Sequence, residues 1–260
     1  MAESSQLLHH TSLNPTSSPT LLFIHGAFGS GADWDLVTPH LPSTYHILLP
    51  DLPGHGTSAT QHPTFTTSLC TTTLASLISA KAQNGKAHII GLSLGAHIAI
   101  SLACTHPDLC LSVLVSGFQV FESGSVLGKY MPTALYLQSR LESLIPKSLM
   151  KSLMSGADIQ PSYPSLELCR QIGRSMGTFP EAPWPARTLV VAAGKGGILP
   201  TADRPEDARK LAGIVGNGET VAVTHKGIRH PWNRQEPRLF AELVVAWVEG
   251  KELPEGFVRL

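Results

Sequence analysis

The feature that most constrains the fold of this chain is an alternation of short apolar runs with segments of helical periodicity. The first four apolar runs each end at or beside a glycine or a proline, and they occupy residues 20–25, 45–50, 87–91 and 111–117. Runs of this length without polar alternation are typical of strands buried on both faces of a parallel sheet. Helical spacing of apolar residues is found at 65–83 and 94–104. We therefore predict an α/β protein with a doubly wound, mostly parallel sheet.

The alternation lapses over residues 118–183 and then resumes. Between Leu135 and Met154, apolar residues recur at helical spacing, which predicts two or three amphipathic helices. After the lapse, strands are predicted at 187–194 and 219–225, and helices at 205–214 and 236–248. We expect residues 1–117 and 184–260 to form the core and residues 118–183 to form an inserted helical cap. Residues 11–19, rich in Pro, Ser and Thr, are predicted to be a loosely held lead-in.

A serine with a glycine two positions to either side stands at one of the predicted strand–helix junctions. The sequence is GLSLG, with Ser93 between Gly91 and Gly95. A nucleophile at such a junction sits on a sharp turn with its hydroxyl exposed, and glycines two positions away avoid collisions with neighbouring backbone. A tight turn without chemistry would also explain the glycines. The strand before it and the small-residue helix after it favour Ser93 as a nucleophile.

A serine hydroxyl is a poor nucleophile near neutral pH, so it requires a base, and the base requires an acid to orient it. His230 follows the predicted strand at 219–225 and precedes the last predicted helix. A loop in that position lies at the carboxyl edge of the sheet, beside Ser93. His25 and His55 belong to glycine-rich turns, and His97 is expected to pack in the helix after the serine. His230 is therefore the predicted base.

The glycine-rich loop HGAFGSG, residues 25–31, follows the first predicted strand. Backbone with little side-chain cover is able to direct N–H groups toward the same edge of the sheet. We predict an oxyanion hole formed by the amides of Ala27 and Leu94, with Phe28 as a further contributor. An ordinary glycine loop is the alternative.

Composition argues against several classes of partner. The chain has 19 basic and 19 acidic residues and no cluster of Lys or Arg interleaved with aromatic residues, so nucleic acid is not an expected partner. The amino-terminal residues have no signal-peptide pattern, and no run of about 18 apolar residues predicts a membrane span. We expect a cytoplasmic protein, either a monomer or a homodimer.

The four cysteines, Cys70, Cys104, Cys110 and Cys169, are widely spaced and form no Cys-x-x-Cys pair. This spacing predicts free thiols rather than a disulfide framework or a zinc site. We expect neither a metal nor a cofactor.

The motifs together give the chain a clear resemblance to the α/β-hydrolase superfamily, and more closely to its cap-bearing branch of small esterases, C–C bond hydrolases, epoxide hydrolases and haloperoxidase-like enzymes. The matching stretches occur in the family's order between residues 20 and 248, and they are LLFIHGAFGSGADW, LLPDLPGHGTS, HIIGLSLGAHIA, LVVAAG and HPWNRQEPRLF. The resemblance assigns DLPGHG, residues 51–56, a structural role, and we expect no chemistry from Asp51. It also leaves room for only one short strand before residue 20, around Gln6–His10.

The acid is where the sequence departs from the family pattern. The resemblance places the acid about three residues after the glycine that closes LVVAAG, but Gly197 stands there and is unable to hold an imidazole. Asp203 is the next acid along the chain; it requires a longer loop, and its separation from His230 is close to that of the family. We favour Asp203, although its carboxylate would also serve to cap the following helix. Glu122 is the other candidate, about five residues beyond the place where some relatives carry the acid, and a Ser–His pair without any acid remains open.

The resemblance implies acyl transfer without a cofactor. We expect a serine hydrolase acting on an ester, thioester, lactone or activated C–C bond of a small to medium apolar carbonyl metabolite. A serine rather than an aspartate in the GLSLG turn argues against the epoxide hydrolase and dehalogenase branches. The Leu and Met content of the predicted cap suggests a closed, apolar cleft. A cofactor-free lyase and a catalytically retired ligand-binding protein are the alternatives.

Overall fold

Eight strands form a single sheet in the computed structural model, which describes residues 7–121, 126–159, 162–196, 201–215 and 217–260. In chain order the strands are β1 His10–Leu13, β2 Thr20–Ile24, β3 His46–Pro50, β4 Ala87–Leu92, β5 Cys110–Ser116, β6 Thr188–Ala193, β7 Val221–His225 and β8 Val258–Arg259. Their spatial order is β1-β3-β2-β4-β5-β6-β7-β8. Each edge strand pairs antiparallel with its neighbour, β1 with β3 and β8 with β7. The pairings among the strands β2 to β7 are all parallel. The predicted fold class is confirmed.

Helices connect the parallel strands, as the alternation in the sequence predicts. In chain order they are α1 Thr67–Lys81, α2 Leu94–Thr105, α3 Val126–Glu142, α4 Lys147–Leu153, α5 Leu166–Ser175, α6 Pro205–Val215, α7 Trp232–Gln235 and α8 Pro237–Glu249. The helix α1 begins at an N-cap in which the Thr66 hydroxyl accepts a hydrogen bond from the Leu69 amide. None of the helices in the described part of the chain combines the length and hydropathy that a membrane crossing requires.

The core lies on both faces of the sheet. Leu74 and Ile78 of α1, together with Ile98 of α2, are buried on one face. Phe240 and Val244 of α8 are buried on the other face. Strands β2, β3 and β6 are buried along their whole length, which is why they contain no polar alternation.

The lead-in is more ordered than the sequence predicts. Residues 10–13 form an edge strand, with His10 opposite Pro50 and Leu13 opposite Ile47, where we predicted a loosely held segment and a strand only around Gln6–His10. The strand is short and mostly exposed, so its pairing depends on backbone hydrogen bonds to β3 and leaves little hydrophobic pattern in the sequence. The carboxyl-terminal strand β8 consists of two exposed residues, Val258 and Arg259, and was not predicted.

Three helices, α3 to α5, occupy the connection between β5 and β6, in the segment predicted to form a cap. Ile172 and Met176, on α5 and just after it, are buried against the core of the sheet. The helices α3 and α4 are largely exposed. The division into a core and a cap at residues 118–183 stays a prediction.

The parallel topology decides where the site lies. Strands β2, β4, β5, β6 and β7 end at the same edge of the sheet, because parallel neighbours run in one direction. The loops that carry the candidate residues all follow these strand ends.

Candidate active site

Ser93 occupies a strained turn between β4 and α2. Its backbone has φ 56° and ψ −117°, a conformation that non-glycine residues rarely adopt. Its amide donates a 2.8 Å hydrogen bond to the carbonyl oxygen of Ser116, the last residue of the neighbouring strand β5. The turn is therefore held from the side by the sheet, as expected for a sharply exposed serine.

The two glycines of GLSLG are required by close backbone contacts. A Cβ on Gly91 would collide with the carbonyl oxygen of Gly95, and a Cβ on Gly95 would collide with the carbonyl oxygen of Ile24 in β2. Neither contact involves a flexible side chain that could move away. The helix α2 thus packs directly on β4 and β2, which fixes the position of Ser93.

The loop after β2 lies against Ser93. A Cβ on Gly26 would stand 3.5 Å from the Cβ of Ser93. Phe28 has φ 65°, which turns the backbone sharply in this loop. Ala27 and Phe28 line the same cavity as Ser93. Leu94 begins α2, where the first N–H groups of a helix have no acceptor within the helix. The predicted oxyanion residues are therefore neighbours of the serine.

His25 supports this loop and is not available as a base. Its Nδ1 donates to the carbonyl oxygen of Gly26 over 2.8 Å, and its Nε2 accepts from the amide of Leu52 over 3.0 Å. Burial lowers the pKa of the His25 imidazole, so it stays neutral. The Nδ1 contact stays within the loop after β2, and the Nε2 contact joins this loop to the one after β3.

His230 and Asp203 lie in direct contact. The Nδ1 atom of His230 is 2.6 Å from the Oδ1 atom of Asp203. The Asp203 side chain is 1% exposed and the His230 side chain is 31% exposed. Burial lowers the pKa of the imidazole, but attraction by the Asp203 carboxylate and the hydrogen bond to it outweigh burial, so the pKa of His230 lies above its usual value.

The long loop between β6 and α6 is anchored by contacts of Asp203 and His230. The Asp203 amide donates to the carbonyl oxygen of Ala193 over 2.8 Å, and the Ala193 amide donates to Oδ2 of Asp203 over 2.7 Å. The His230 amide donates to the carbonyl oxygen of Thr201 over 2.8 Å. Among the described residues, His230, Ala193 and Gln119 contact the Asp203 carboxylate as donors, and all three lie outside α6. These contacts argue against the alternative that Asp203 only caps that helix.

The serine and the histidine line one cavity of about 770 Å³. The His230 ring rests on Gly117, which directly follows Ser116, the residue that accepts the hydrogen bond of the Ser93 amide. The structure therefore places Ser93 and His230, which contacts Asp203, on the lining of one cavity at the carboxyl edge of the sheet. Glu122, the alternative acid, and Gly197, the residue at the family's acid position, lie outside the described residues.

The cavity lining differs from the predicted apolar cleft. It includes the side chains of Asp33, Asp35, Glu142 and Arg234 together with apolar groups such as Leu168. Four of the leucines that suggested an apolar cleft face solvent, with exposed fractions of 53% for Leu137, 64% for Leu141, 79% for Leu144 and 50% for Leu149. Helical periodicity identified the helices correctly but did not reveal which way their apolar residues face.

One carboxyl group in this lining has a shifted pKa. Burial raises the pKa of Asp33 to about 6, although attraction by Arg234 acts in the opposite direction. The Arg234 guanidinium forms ion pairs with Asp35 and Asp158, and so links the loop after β2 to the segment after α4. No local feature of the sequence pointed to Arg234, because its partners Asp35 and Asp158 are distant along the chain.

Two further expectations concern structural residues. Asp51 accepts hydrogen bonds of 2.8 Å from the amides of Gly31 and Thr57, which agrees with the structural role expected for it. His97 is buried, and its ring stacks on Phe118 with 4.2 Å between centroids, as expected for a packing residue.

The four cysteines are free thiols. Within the described ranges, no group of three or more His, Cys, Asp or Glu side chains is arranged to hold a metal ion.

Comparison with known proteins identifies relatives of this chain. The family model described as the alpha/beta hydrolase family matches residues 21–243. An AB hydrolase superfamily protein of Gibberella zeae is 37% identical over 268 aligned residues, covering 96% of this chain and 86% of the relative. The 2-succinyl-6-hydroxy-2,4-cyclohexadiene-1-carboxylate synthase of Pectobacterium atrosepticum is 38% identical over 102 residues, or 38% of each protein.

Solved structures share the fold at low sequence identity. A thermophilic esterase from Thermogutta terrifontis, solved with malate bound, superposes with a TM-score of 0.71 at 18% identity. The superposition covers 94% of this chain and 93% of the esterase. At this level of identity the similarity concerns the fold alone.

Proposed function

Since this chain belongs to the alpha/beta hydrolase family, we propose that it is a serine hydrolase in which Ser93, His230 and Asp203 act together. The bond it cleaves is an ester, thioester, lactone or activated C–C bond next to a carbonyl group. The observation that carries this proposal is the 2.6 Å contact between His230 Nδ1 and Asp203 Oδ1 in the cavity that Ser93 also lines.

The contact supports a defined division of roles. With Nδ1 of His230 bonded to Asp203, the other ring nitrogen is left to take the proton of the Ser93 hydroxyl. The serine oxygen then forms a bond to the carbonyl carbon, and the carbonyl oxygen becomes an oxyanion. The backbone N–H groups of Ala27 and Leu94, with Phe28 beside them, stabilise that charge.

The second half of the reaction uses the same groups. The His230 imidazolium gives its proton to the leaving group as the tetrahedral intermediate collapses to an acyl-enzyme. His230 then takes a proton from water, and the hydroxide attacks the acyl carbon. Collapse of the second intermediate releases the acid and returns the proton to Ser93. Asp203 stays ionised throughout and holds the imidazole in the required tautomer.

The cavity supports a small or medium substrate that carries polar groups. Its volume of about 770 Å³ falls within the range of small-molecule sites. The acidic residues Asp33 and Glu142 line a cavity that also includes the apolar residue Leu168. We therefore propose a carbonyl compound with both apolar and polar parts in place of the purely apolar metabolite expected from the sequence.

Hydrolysis of p-nitrophenyl acetate and p-nitrophenyl butyrate tests this function. Wild-type protein is expected to hydrolyse at least one of the two esters, and Ser93→Ala is expected to abolish hydrolysis. Ser101→Ala, on the same helix α2, is the matched control and is expected to retain the wild-type rate. Equal rates for wild type and Ser93→Ala, or no turnover by wild type, would remove the hydrolase proposal.

A lyase is the second candidate, because a relative over 102 residues is named as a synthase rather than a hydrolase. In a lyase of this kind the serine and histidine move protons and no acyl-enzyme forms. Mass spectrometry of the protein after rapid quenching with an ester separates the two. An acyl group on Ser93 supports the hydrolase, whereas turnover of a substrate without any acylated serine supports the lyase. Binding without turnover would indicate a retired ligand-binding protein.

A further inference from the structure

Gln119 contacts the same carboxylate oxygen as His230. Its side-chain nitrogen Nε2 lies 2.9 Å from Oδ1 of Asp203, and the same Oδ1 lies 2.6 Å from Nδ1 of His230. Gln119 follows β5, whereas Asp203 follows β6, so the contact joins the ends of two neighbouring strands. Because an ionised Asp203 carboxylate offers only acceptors, Gln119 must present its N–H group rather than its carbonyl oxygen.

The backbone of Gln119 is fixed from the side of the nucleophile helix. The Nε2 atom of His97 lies 2.9 Å from the carbonyl oxygen of Gln119. Burial lowers the pKa of His97 to about 4, so its ring is neutral and Nε2–H is the donor in this contact. The ring stacks on Phe118, the residue before Gln119. His97 lies one helical turn after Ser93, so the serine and Gln119 share one rigid support.

The next residue is fixed from the opposite side. The amide of Val120 donates to Oδ2 of Asp207 over 3.1 Å, and the guanidinium of Arg204 donates to the carbonyl oxygen of Val120. Arg204 also forms a 2.7 Å ion pair with Asp207. The backbone at position 119 is therefore held between α2 and the start of α6, which keeps the Gln119 side chain within reach of Asp203.

We propose that Gln119 is a positioning residue that shares the charge of Asp203 and thereby lowers the basicity of His230. This inference rests on the proposed function, in which His230 is the base. A carboxylate oxygen that accepts hydrogen bonds from two N–H donors attracts each donor less strongly than an oxygen that accepts from one. Without Gln119, the full charge of Oδ1 would face the imidazole and hold its proton more tightly.

Loss of Gln119 should not release Asp203. The carboxylate keeps the 2.7 Å hydrogen bond from the Ala193 amide to Oδ2, and the Asp203 amide keeps its 2.8 Å hydrogen bond to the Ala193 carbonyl oxygen. The pKa of His230 should therefore rise when Gln119 is replaced. A loosened Asp203 would produce the opposite change, because a weaker ion pair lowers the pKa of the imidazole.

The test uses Gln119→Leu, which removes the donor, and Gln119→Glu, which places a carboxylate beside Asp203. The pKa of His230 is read directly by NMR titration of its ring carbon and independently from the acid limb of the kcat/KM profile. We expect Gln119→Leu to raise the pKa by about 0.5 to 1 pH unit and Gln119→Glu to raise it further. At pH 7, kcat/KM should fall about two- to fivefold in Gln119→Leu, and it should recover at pH 9.

Gln83→Leu is the matched control, because the Gln83 side chain donates to the carbonyl oxygen of Pro15 at the opposite edge of the sheet. It should leave the pKa of His230 unchanged. An unchanged or lowered pKa in folded Gln119→Leu, with folding verified by thermal melting, would overturn the proposal. If wild type hydrolyses no ester, the proposed function fails, yet the NMR titration still decides the role of Gln119.

Discussion

The imidazole of His230 lies directly on Gly117, in a place that a side chain at position 117 would occupy. A Cβ on Gly117 would stand 2.5 Å from Cε1 and 2.8 Å from Nδ1 of the ring, and both distances are too short for any real Cβ. Gly117 also has φ 73°, in the left-handed region. The end of β5 is thus shaped to receive the base, and Gly117 sets the distance between His230 and the strand that supports Ser93.

Replacing this glycine should displace the histidine. We expect Gly117→Ala to lower kcat/KM for p-nitrophenyl butyrate by about 100-fold, because small misplacements of a catalytic group cost about this much. Gly218→Ala is a matched control: Gly218 also has φ 73°, but no atom lies within 4 Å of a Cβ placed there. If both variants lose stability equally and Gly117→Ala keeps its activity, the ring does not depend on Gly117 for its position.

The carboxylate of Asp203 should be required for rate. We expect Asp203→Asn to lower kcat by about 100-fold or more, since an amide at this position favours the wrong tautomer of the imidazole. Steady-state kinetics with the same esters measure the effect, and Asp108→Asn, in the short turn Pro107–Leu109, provides the control. An undiminished rate would transfer the role to Glu122 or to no residue at all.

The pH dependence should follow the charge of His230. As a general base the imidazole must be neutral, so kcat/KM should increase as pH rises through its pKa. Asp203 raises this pKa above the usual value of about 6.5. In Asp203→Asn, burial remains without the carboxylate that opposes it, so the midpoint of the remaining activity should move to lower pH. A midpoint that stays in place or moves upward would contradict the assignment of His230 as the base held by Asp203.

Asp51 should matter for stability rather than for chemistry. Its two carboxylate oxygens accept hydrogen bonds from the amides of Gly31 and Thr57, and the side chain is buried. An asparagine has only one acceptor oxygen, so Asp51→Asn should leave one buried amide unpaired and lower the free energy of unfolding by about 1 to 3 kcal/mol. Urea denaturation followed by circular dichroism measures the change. A loss no greater than that of Asp108→Asn would show that the loop does not depend on these bonds.

The parallel strands could be predicted because their burial is complete. A strand covered on both faces contains almost only apolar residues, as in β2 and β6, so its position can be recognised from local sequence. The edge strand β1 has one partner and mostly exposed side chains, and its backbone hydrogen bonds leave no comparable pattern. The exposed leucines of α3 and α4 show the same limit, since periodicity predicts a helix without indicating what covers its apolar residues.

The residues of the candidate site likewise differ in whether local sequence could identify them. Ser93 and its two glycines could be identified from five consecutive residues, because the motif itself is local, although the contact that requires Gly95 is made with Ile24 of β2. His230 could be inferred from its place after a strand of a parallel sheet. Gln119 and Gly117 had no local signal, because each acts on a residue that is remote along the chain.

The sequence alone determined the order of buried strands and helices and the sharp turn at Ser93, because burial and backbone sterics act on residues close together in the chain. Tertiary structure decided which groups meet. The ends of β5, β6 and β7 bring Gln119, Asp203 and His230 onto one another, and a hydrogen bond depends on distances of about 3 Å that no spacing in a linear sequence specifies. Assigning the acid to Asp203 requires a longer loop than the family resemblance implies, so only the loop's anchoring to Ala193 and, through Thr201, to His230 shows where its carboxylate lies.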